Sequence, residues 1–413
     1  MLTQPNTETN IKLPFTFIFF SLAAFVISQL MVLWKGAAML DGGFRQPLLW
    51  SAAHLLLLGW ALMAAMGSMY QLVPVAFLTP IWSEKLGFVQ FAVTAFGITI
   101  FAASLALAPA YSYVGGILTL IGILLFLWQM IMTLKTQTEK NIITLFVGSA
   151  LFCLFTTIIL GILLALNFGP GLALFPHEEL LKGHILLGLA GWFTLLIFGF
   201  SYKMVPMFSL AHGFTMELSK SVFGTYAAGL VITFLSFIQN NSTLFTIGLV
   251  ILFIGFLLFS IHMRMDITKR IKKKLDIPFI FSLIAILFGL VIHFLAVIYS
   301  IFSPSLLAFG TLSLAYIMGW IVFSIVGYLI KIVPFLWWTH RYSEKVGKEN
   351  VPALKDMMDE KWIKPLLYLL PLAFAGVLVS FIISARPVFW ISQSVFTVGT
   401  FLFAFLILNV LKK

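Results

Sequence analysis

Charged residues and cysteine are scarce in this chain of 413 residues. Only 9% of the residues are charged and 61% are hydrophobic, whereas a soluble domain has about 25% charged residues. The composition therefore excludes a soluble protein. The single cysteine, Cys153, excludes a disulfide framework and a thiolate metal cluster. The sequence has no P-loop, nucleophile elbow or Cys-x-x-Cys-His haem-attachment motif, and its apolar runs carry almost no carboxylates for proton pumping.

Long apolar segments make up most of the sequence. A bilayer-spanning helix needs about 20 consecutive apolar residues, and such runs predict one all-α integral membrane domain over residues 1–413. The twelve predicted helices are 13–36, 47–72, 87–109, 111–134, 141–168, 178–204, 219–239, 243–263, 277–301, 305–333, 363–384 and 387–411.

Lysine and arginine concentrate in two loops and at the end of the chain. Six lie in 264–274, five lie in 345–364, and Lys412 and Lys413 are the last residues. Because positively charged loops remain in the cytoplasm, both termini and the loop 335–362, with a short amphipathic helix, are predicted to be cytoplasmic. We expect a multi-pass protein of a bacterial inner (cytoplasmic) membrane, with lipid and no nucleic acid as its partner.

A five-residue pattern occurs three times, about 130 residues apart. Each copy has a Gly-Trp pair, a second glycine eight residues after the glycine of that pair, and a Val-Pro pair that is expected to end the helix. The copies lie on the second, sixth and tenth helices, so the repeat unit is four helices. We expect three four-helix arcs with pseudo-threefold symmetry and the glycine-bearing helices on the inner face, since glycine permits close helix packing. The three copies are Gly59-Trp60, Gly67 and Val73-Pro74; Gly191-Trp192, Gly199 and Val205-Pro206; Gly319-Trp320, Gly327 and Val333-Pro334.

Three histidines, His54, His184 and His293, lie inside predicted helices. Buried polar groups are costly in a bilayer, so these residues are functional candidates. At about 1.5 Å per residue, all three lie roughly 10 Å below the outer surface. His177 precedes His184 by seven residues and lies on the same helix face. Imidazoles at one depth suit haem or copper ligation; the alternative is separate histidines, each hydrogen-bonded to a neighbouring helix.

Two arginines, Arg45 and Arg386, are predicted to lie on the outer side, where a haem would need cations for its propionates. Arginine pairs with carboxylates through two parallel hydrogen bonds. Anchoring at the membrane interface explains both positions nearly as well.

The three motifs resemble subunit I of the haem-copper oxidases, especially the C-type (cbb-type) oxidases and the related nitric oxide reductases. The sixth helix carries the resemblance in GHILLGLAGWFTLLIFGFSYKMVP (183–206), and the tenth in its Gly-Trp, Gly and Val-Pro pattern followed by Phe335-Leu336-Trp337. The resemblance in topology covers most of the chain, whereas the resemblance in motif is limited to three helices. It implies twelve helices in three arcs, with metal ligands on the outer side.

The resemblance implies that His54 binds a low-spin haem and that His184 binds copper. The two haem-ligating histidines of the family's tenth helix correspond to Leu314 and Leu312, and the histidine pair of its seventh helix is missing from 219–239. An oxygen- or nitric-oxide-reducing centre therefore cannot be assembled from the expected positions, and enzymatic activity is not expected.

Three functions remain open. In the first, a divergent member of the family binds haem b between His54 and His293, for electron transfer, sensing, or nitric oxide or copper stress. In the second, a haem-free membrane protein handles copper through His184 and His177, as a transporter or assembly factor. In the third, the chain is a cytochrome c oxidase- or nitric oxide reductase-type respiratory subunit. Other respiratory or assembly membrane subunits are its expected protein partners.

Overall fold

The computed structural model describes residues 9–137, 140–172, 175–302 and 306–413. It is 85% helical, and the described residues contain no strand. Twelve helices in this part of the chain are long and apolar enough to cross a membrane, as predicted. They are α1 Lys12–Asp41, α2 Pro47–Phe77, α3 Glu84–Leu107, α4 Pro109–Lys135, α5 Ile142–Phe168, α6 His177–Ser209, α7 Ser219–Ile238, α8 Ser242–Thr268, α9 Ile277–Phe302, α10 Leu307–Lys345, α11 Glu360–Ile382 and α12 Arg386–Lys412.

The Val-Pro pairs do not end their helices, so this prediction was wrong. α2 continues beyond Pro74 to Phe77, and α6 continues beyond Pro206 to Ser209. A proline removes one backbone donor, and a membrane helix tolerates this where neighbouring groups satisfy the freed carbonyl. In α2 the helix ends only where Leu78 adopts a left-handed conformation, with φ 51°.

α10 continues further beyond its proline than the other two repeat helices do, because it remains α-helical from Phe323 through Tyr342, eight residues past Pro334. The loop predicted for 335–362 therefore begins later than expected. α10 ends in a 3-10 turn at Ser343–Lys345, a second 3-10 turn follows at Leu354–Met357, and α11 begins at Glu360. The expected short amphipathic α-helix does not form between α10 and α11. The predicted start of this helix, residue 305, lies outside the described residues.

A π-helical segment interrupts each repeat helix at its Gly-Trp pair. The segments are Leu55–Leu62 in α2, Leu187–Phe193 in α6 and Tyr316–Val322 in α10. π-Helical segments are rare and frequently occur at functional sites. His54 immediately precedes the first segment, and His184 lies shortly before the second. Each copy of the sequence repeat thus coincides with a π-helical distortion of its helix, which the spacing of the repeated residues did not predict.

The glycines of the Gly-Trp pairs allow each repeat helix to pack closely against the helix that directly precedes it in the chain. A methyl group on Gly59 would lie 2.7 Å from Cβ of Ala24 on α1, and one on Gly191 would lie 2.9 Å from Cβ of Cys153 on α5. At Gly319 the aromatic ring of Phe288 on α9 occupies the space that a methyl group would fill. Close backbone approach of this kind is available only where the side chain is absent.

A second set of glycines extends the repeat to other helices, and sequence reasoning missed it. Gly97 and Gly229 each follow the glycine of their Gly-Trp pair by 38 residues. A methyl group on Gly97 would lie 2.5 Å from the backbone nitrogen of Thr119 on α4, and one on Gly229 would lie 2.7 Å from that of Leu252 on α8. The third and fourth helices of the first two groups therefore pack through equivalent glycines.

The three repeat helices meet around a small cavity of about 60 Å³, whose lining residues belong to α2, α6 and α10. Their tryptophans, Trp60, Trp192 and Trp320, are at most 1% exposed. The expected position of these helices on an inner face agrees with this packing. The three-arc arrangement and the cytoplasmic location of both termini stay predictions.

Candidate functional site

The imidazoles of His54 on α2 and His184 on α6 are neighbours. Their ring centroids lie 6.2 Å apart and their planes are inclined by 31°. Both side chains retain some accessible surface. The resemblance assigned these residues to two different metals, whereas the structure brings them together.

One backbone carbonyl orients each ring. Nδ1 of His54 lies 2.7 Å from the carbonyl oxygen of Trp50, and Nδ1 of His184 lies 2.9 Å from that of Thr157 on α5. Because a carbonyl oxygen only accepts hydrogen bonds, Nδ1 of each neutral ring carries the proton and Nε2 keeps a lone pair. Metal-binding histidines are commonly oriented in this way, with the second ring nitrogen donating to a carbonyl.

The separation of the two rings matches that of two imidazoles bound to one metal. With metal–nitrogen bonds of about 2.0–2.1 Å, two imidazoles on opposite sides of a metal have centroids about 6.3 Å apart. Two such ligands complete the coordination of a six-coordinate haem. No group of three or more His, Cys, Asp or Glu residues suited to a metal ion occurs in the described part of the chain.

Two further residues shape the surroundings of the histidine pair. Phe101 on α3 meets His54 edge-on, with 5.1 Å between the ring centroids. A methyl group on Gly161 of α5 would lie 3.0 Å from Cε1 of His184, so the glycine leaves space for the imidazole. Neither residue carries a recognisable motif, and only the packing of α3 and α5 identifies them.

An ion pair joins the beginnings of the two helices that carry the histidines. Arg45, just before α2, makes hydrogen bonds of 2.7 and 3.0 Å to the two carboxylate oxygens of Glu178 in the first turn of α6. This hydrogen bonding raises the pKa of Arg45 above its usual value. The side chains are 46% and 50% exposed, so the pair contributes little to stability and mainly limits how the two helix ends separate.

The other predicted propionate partner also has a carboxylate neighbour. Arg386 at the start of α12 donates to Asp41 at the end of α1, at 2.6 Å. The contact of either Arg45 or Arg386 with a haem stays a prediction. His177, predicted as a metal ligand with His184, is exposed at the first position of α6, and its metal binding also stays a prediction.

His293 lies in a separate cluster on α9. Its Nδ1 lies 2.8 Å from the carbonyl oxygen of Gly289, and its Nε2 lies 3.3 Å from the hydroxyl of Tyr226. The ring of Phe256 packs against it, with 4.3 Å between centroids. None of these neighbours is among the contacts of His54 described above. Haem ligation by His54 together with His293 stays a prediction, and the structure offers His184 as a second partner.

No protein-family model matches the chain, and no curated protein is significantly similar to it. The resemblance to haem-copper oxidases therefore rests on the three repeated motifs and the twelve-helix pattern. The functional assignment depends on the geometry of the histidine pair.

Proposed function

We propose that this chain is a multi-pass membrane haem protein that transfers electrons, in which His54 and His184 would hold one low-spin b-type haem. The observation that carries the proposal is the 6.2 Å separation of two imidazoles whose Nδ1 atoms face carbonyl oxygens. The proposal retains the predicted relation to subunit I of the haem-copper oxidases and the predicted location in a bacterial inner membrane. The haem partner of His54 changes from His293 to His184.

The residues around the pair suit this role. The carbonyls of Trp50 and Thr157 hold the rings in one tautomer and increase the basicity of Nε2. The helices α3 and α5 supply Phe101 and Gly161, which fix the ring positions by packing. A haem with two imidazole ligands supplies one-electron chemistry without a free coordination position. The proposed role is therefore electron transfer and not reduction of oxygen or nitric oxide.

A second candidate is a copper-handling protein that holds one Cu(I) ion between the same imidazoles. Imidazole is a good ligand for copper, and Cu(I) accepts two nitrogen ligands in a linear arrangement. This candidate is favoured by the lack of a third His, Cys, Asp or Glu ligand in the described residues. Iron and copper content distinguish the two candidates.

The deciding experiment is a reduced-minus-oxidised absorption spectrum of the detergent-purified protein, with iron and copper quantified on the same sample. We expect sharp α and Soret bands and about one iron per chain, as for a single bound haem. His54→Ala and His184→Ala should each lose the low-spin spectrum, and added imidazole should restore it. His293→Ala is the matched control, because it removes a buried histidine from a different cluster, and it should retain the spectrum.

Two outcomes would overturn the proposed ligand pair. Loss of the spectrum in His54→Ala and His293→Ala, with retention in His184→Ala, would place the haem where the sequence predicted it. Absence of iron and of absorption bands would reject haem binding altogether. In that case, about one copper per chain that both His54→Ala and His184→Ala lose would support the second candidate.

A further inference from the structure

A second cavity, of about 130 Å³, lies between α6, α7, α8, α9 and α10. Most of its lining residues are leucine, isoleucine, phenylalanine and alanine. The hydroxyl of Thr233 donates to the carbonyl oxygen of Gly229 at 2.7 Å, and both ring nitrogens of His293 have protein partners. The hydroxyl of Tyr316 lies 2.6 Å from that of Thr194. The cavity therefore presents an apolar surface to its contents.

The lining residues are accessible at one end of the cavity and buried at the other. Lys182, Tyr299 and Phe309 lie near helix ends on the same side of the bundle, and all three are partly exposed. Leu252 and Ile292 lie deeper and are only 2% and 3% exposed. Ile292 and Tyr299 are seven residues apart on α9, so the cavity extends about 10 Å along the helix. One leaflet of the hydrocarbon core is about 15 Å thick, so the cavity has most of the depth of a leaflet.

An acyl chain suits this space better than water or a void. A bound water needs about two to four polar partners, and the bonded polar groups of the lining do not supply them. A void deprives the lining atoms of dispersion contacts. The five helices are long and apolar enough to cross a membrane, so lipid chains surround the accessible end. A lipid chain therefore matches the cavity in depth and in polarity.

Lys182 places a positive charge at the accessible end. It lies in the second turn of α6 and lines the cavity. A lysine packs its methylene stem against apolar surface while its ammonium stays at the polar interface. Within the described residues Lys182 makes no ion pair. Glu178, one turn earlier, is held by two hydrogen bonds from Arg45, and Glu179 does not line the cavity. The charge of Lys182 is thus available to an anionic head group.

We propose that this cavity binds one acyl chain of an anionic phospholipid whose head group pairs with Lys182. The chain enters from the accessible end and fills the apolar volume. The positive charge favours a lipid with net negative charge over a zwitterionic lipid with the same chains. The bound chain contacts α6 together with α7, α8, α9 and α10, so it fills a gap in the packing of these five helices.

The test is native mass spectrometry of the detergent-purified full-length protein, titrated with phosphatidylglycerol or phosphatidylcholine that carry identical acyl chains. We expect the first phosphatidylglycerol to bind about fivefold more tightly than the first phosphatidylcholine, the effect of one lysine near an anionic lipid. Lys182→Gln should remove this preference. Lys35→Gln is the matched control, because Lys35 is an exposed lysine near the end of α1, on the membrane face predicted for Lys182. It should keep the preference.

A cavity-filling variant tests the position of the chain independently of charge. Leu249→Trp places a larger side chain in the cavity and should abolish tight binding of the first lipid of either kind. Ile247→Trp is its matched control, because Ile247 lies on the same helix but is 46% exposed and does not line the cavity. This control should bind both lipids as the unmodified protein does.

Three results would overturn the proposal. Equal affinities of the unmodified protein for the two lipids, or an equal loss of preference in Lys35→Gln and Lys182→Gln, would remove the role of Lys182. Tight lipid binding that survives Leu249→Trp would place the chain elsewhere. The inference does not rest on the haem proposal, since neither His54 nor His184 lines the cavity. Protein that contains no haem should show the same lipid preference, so the two proposals can fail separately.

Discussion

The contact between α3 and α4 allows the energetic role of a glycine between two packed helices to be tested. A methyl group on Gly122 of α4 would lie 2.7 Å from Cα and 2.8 Å from the backbone nitrogen of Thr94 on α3. Thr94 is completely buried. Because backbone atoms cannot turn aside as a side chain can, Gly122→Ala requires the two helices to move apart.

The expected magnitude follows from a matched glycine on α5. A methyl group on Gly148 would meet nothing within 4 Å, so Gly148→Ala should be neutral or should stabilise the helix by up to about 1 kcal/mol. Gly122→Ala receives the same gain in helix propensity, but overpacking costs about 1–3 kcal/mol. We expect Gly122→Ala to be the less stable variant by about 2 kcal/mol.

The assay is equilibrium unfolding of the purified protein in mixed detergent micelles with increasing dodecyl sulfate, followed by tryptophan fluorescence. Gly122→Ala should unfold at a lower dodecyl sulfate fraction than both Gly148→Ala and the unmodified protein. Equal stability of the two alanine variants would refute the reasoning, because the backbone contact would then impose no cost. α3 also carries Phe101 against His54, so Gly122→Ala should alter the spectrum of the proposed haem if the helix shifts.

Two electrostatic predictions concern groups outside the membrane-spanning segments. Burial raises the pKa of Asp276, but hydrogen bonds from Lys331 and Lys272 outweigh it, and the pKa is lowered overall. These ion pairs therefore stabilise the fold above the unfolded pKa of about 3.9, and their contribution is lost as the pH falls through the lower folded pKa. Asp276→Asn should lower the free energy of unfolding by about 1–2 kcal/mol near pH 7. It should also reduce the loss of stability on acidification. Arg45→Gln should lower the free energy of unfolding by at most about 1 kcal/mol. In the same unfolding assay, high salt should reduce this difference in stability from the unmodified protein. If Asp276→Asn loses stability on acidification just as the unmodified protein does, the role assigned to Asp276 is contradicted. If the effect of Arg45→Gln does not depend on salt, the role assigned to its ion pair is contradicted.

The helix ends show where local sequence rules failed. Proline at 74, 206 and 334 was expected to stop each helix, yet the chain continues as helix in all three cases. The rule concerns one missing donor and one steric clash. In a packed membrane protein, neighbouring groups offset both effects, so the local rule does not decide where the helix ends.

For the histidines, the sequence identifies the candidate residues, whereas their neighbours depend on how the helices pack. Sequence reasoning identified His54, His184 and His293 because polar side chains are rare in apolar runs. Its pairing of His54 with His293 around a haem stays a prediction, and in the structure the ring centroids of His54 and His184 lie 6.2 Å apart.

The sequence by itself determined the membrane class, the twelve helices, the three Gly-Trp copies and the short set of buried polar candidates. These features depend on composition and on residues close together in the chain, so they can be read locally. The tertiary structure decided which imidazoles lie close together and which glycines contact a neighbouring backbone. Those relations depend on how each helix is rotated and on π-helical segments that shift the faces after them. Helix rotation results from the packing of the whole bundle.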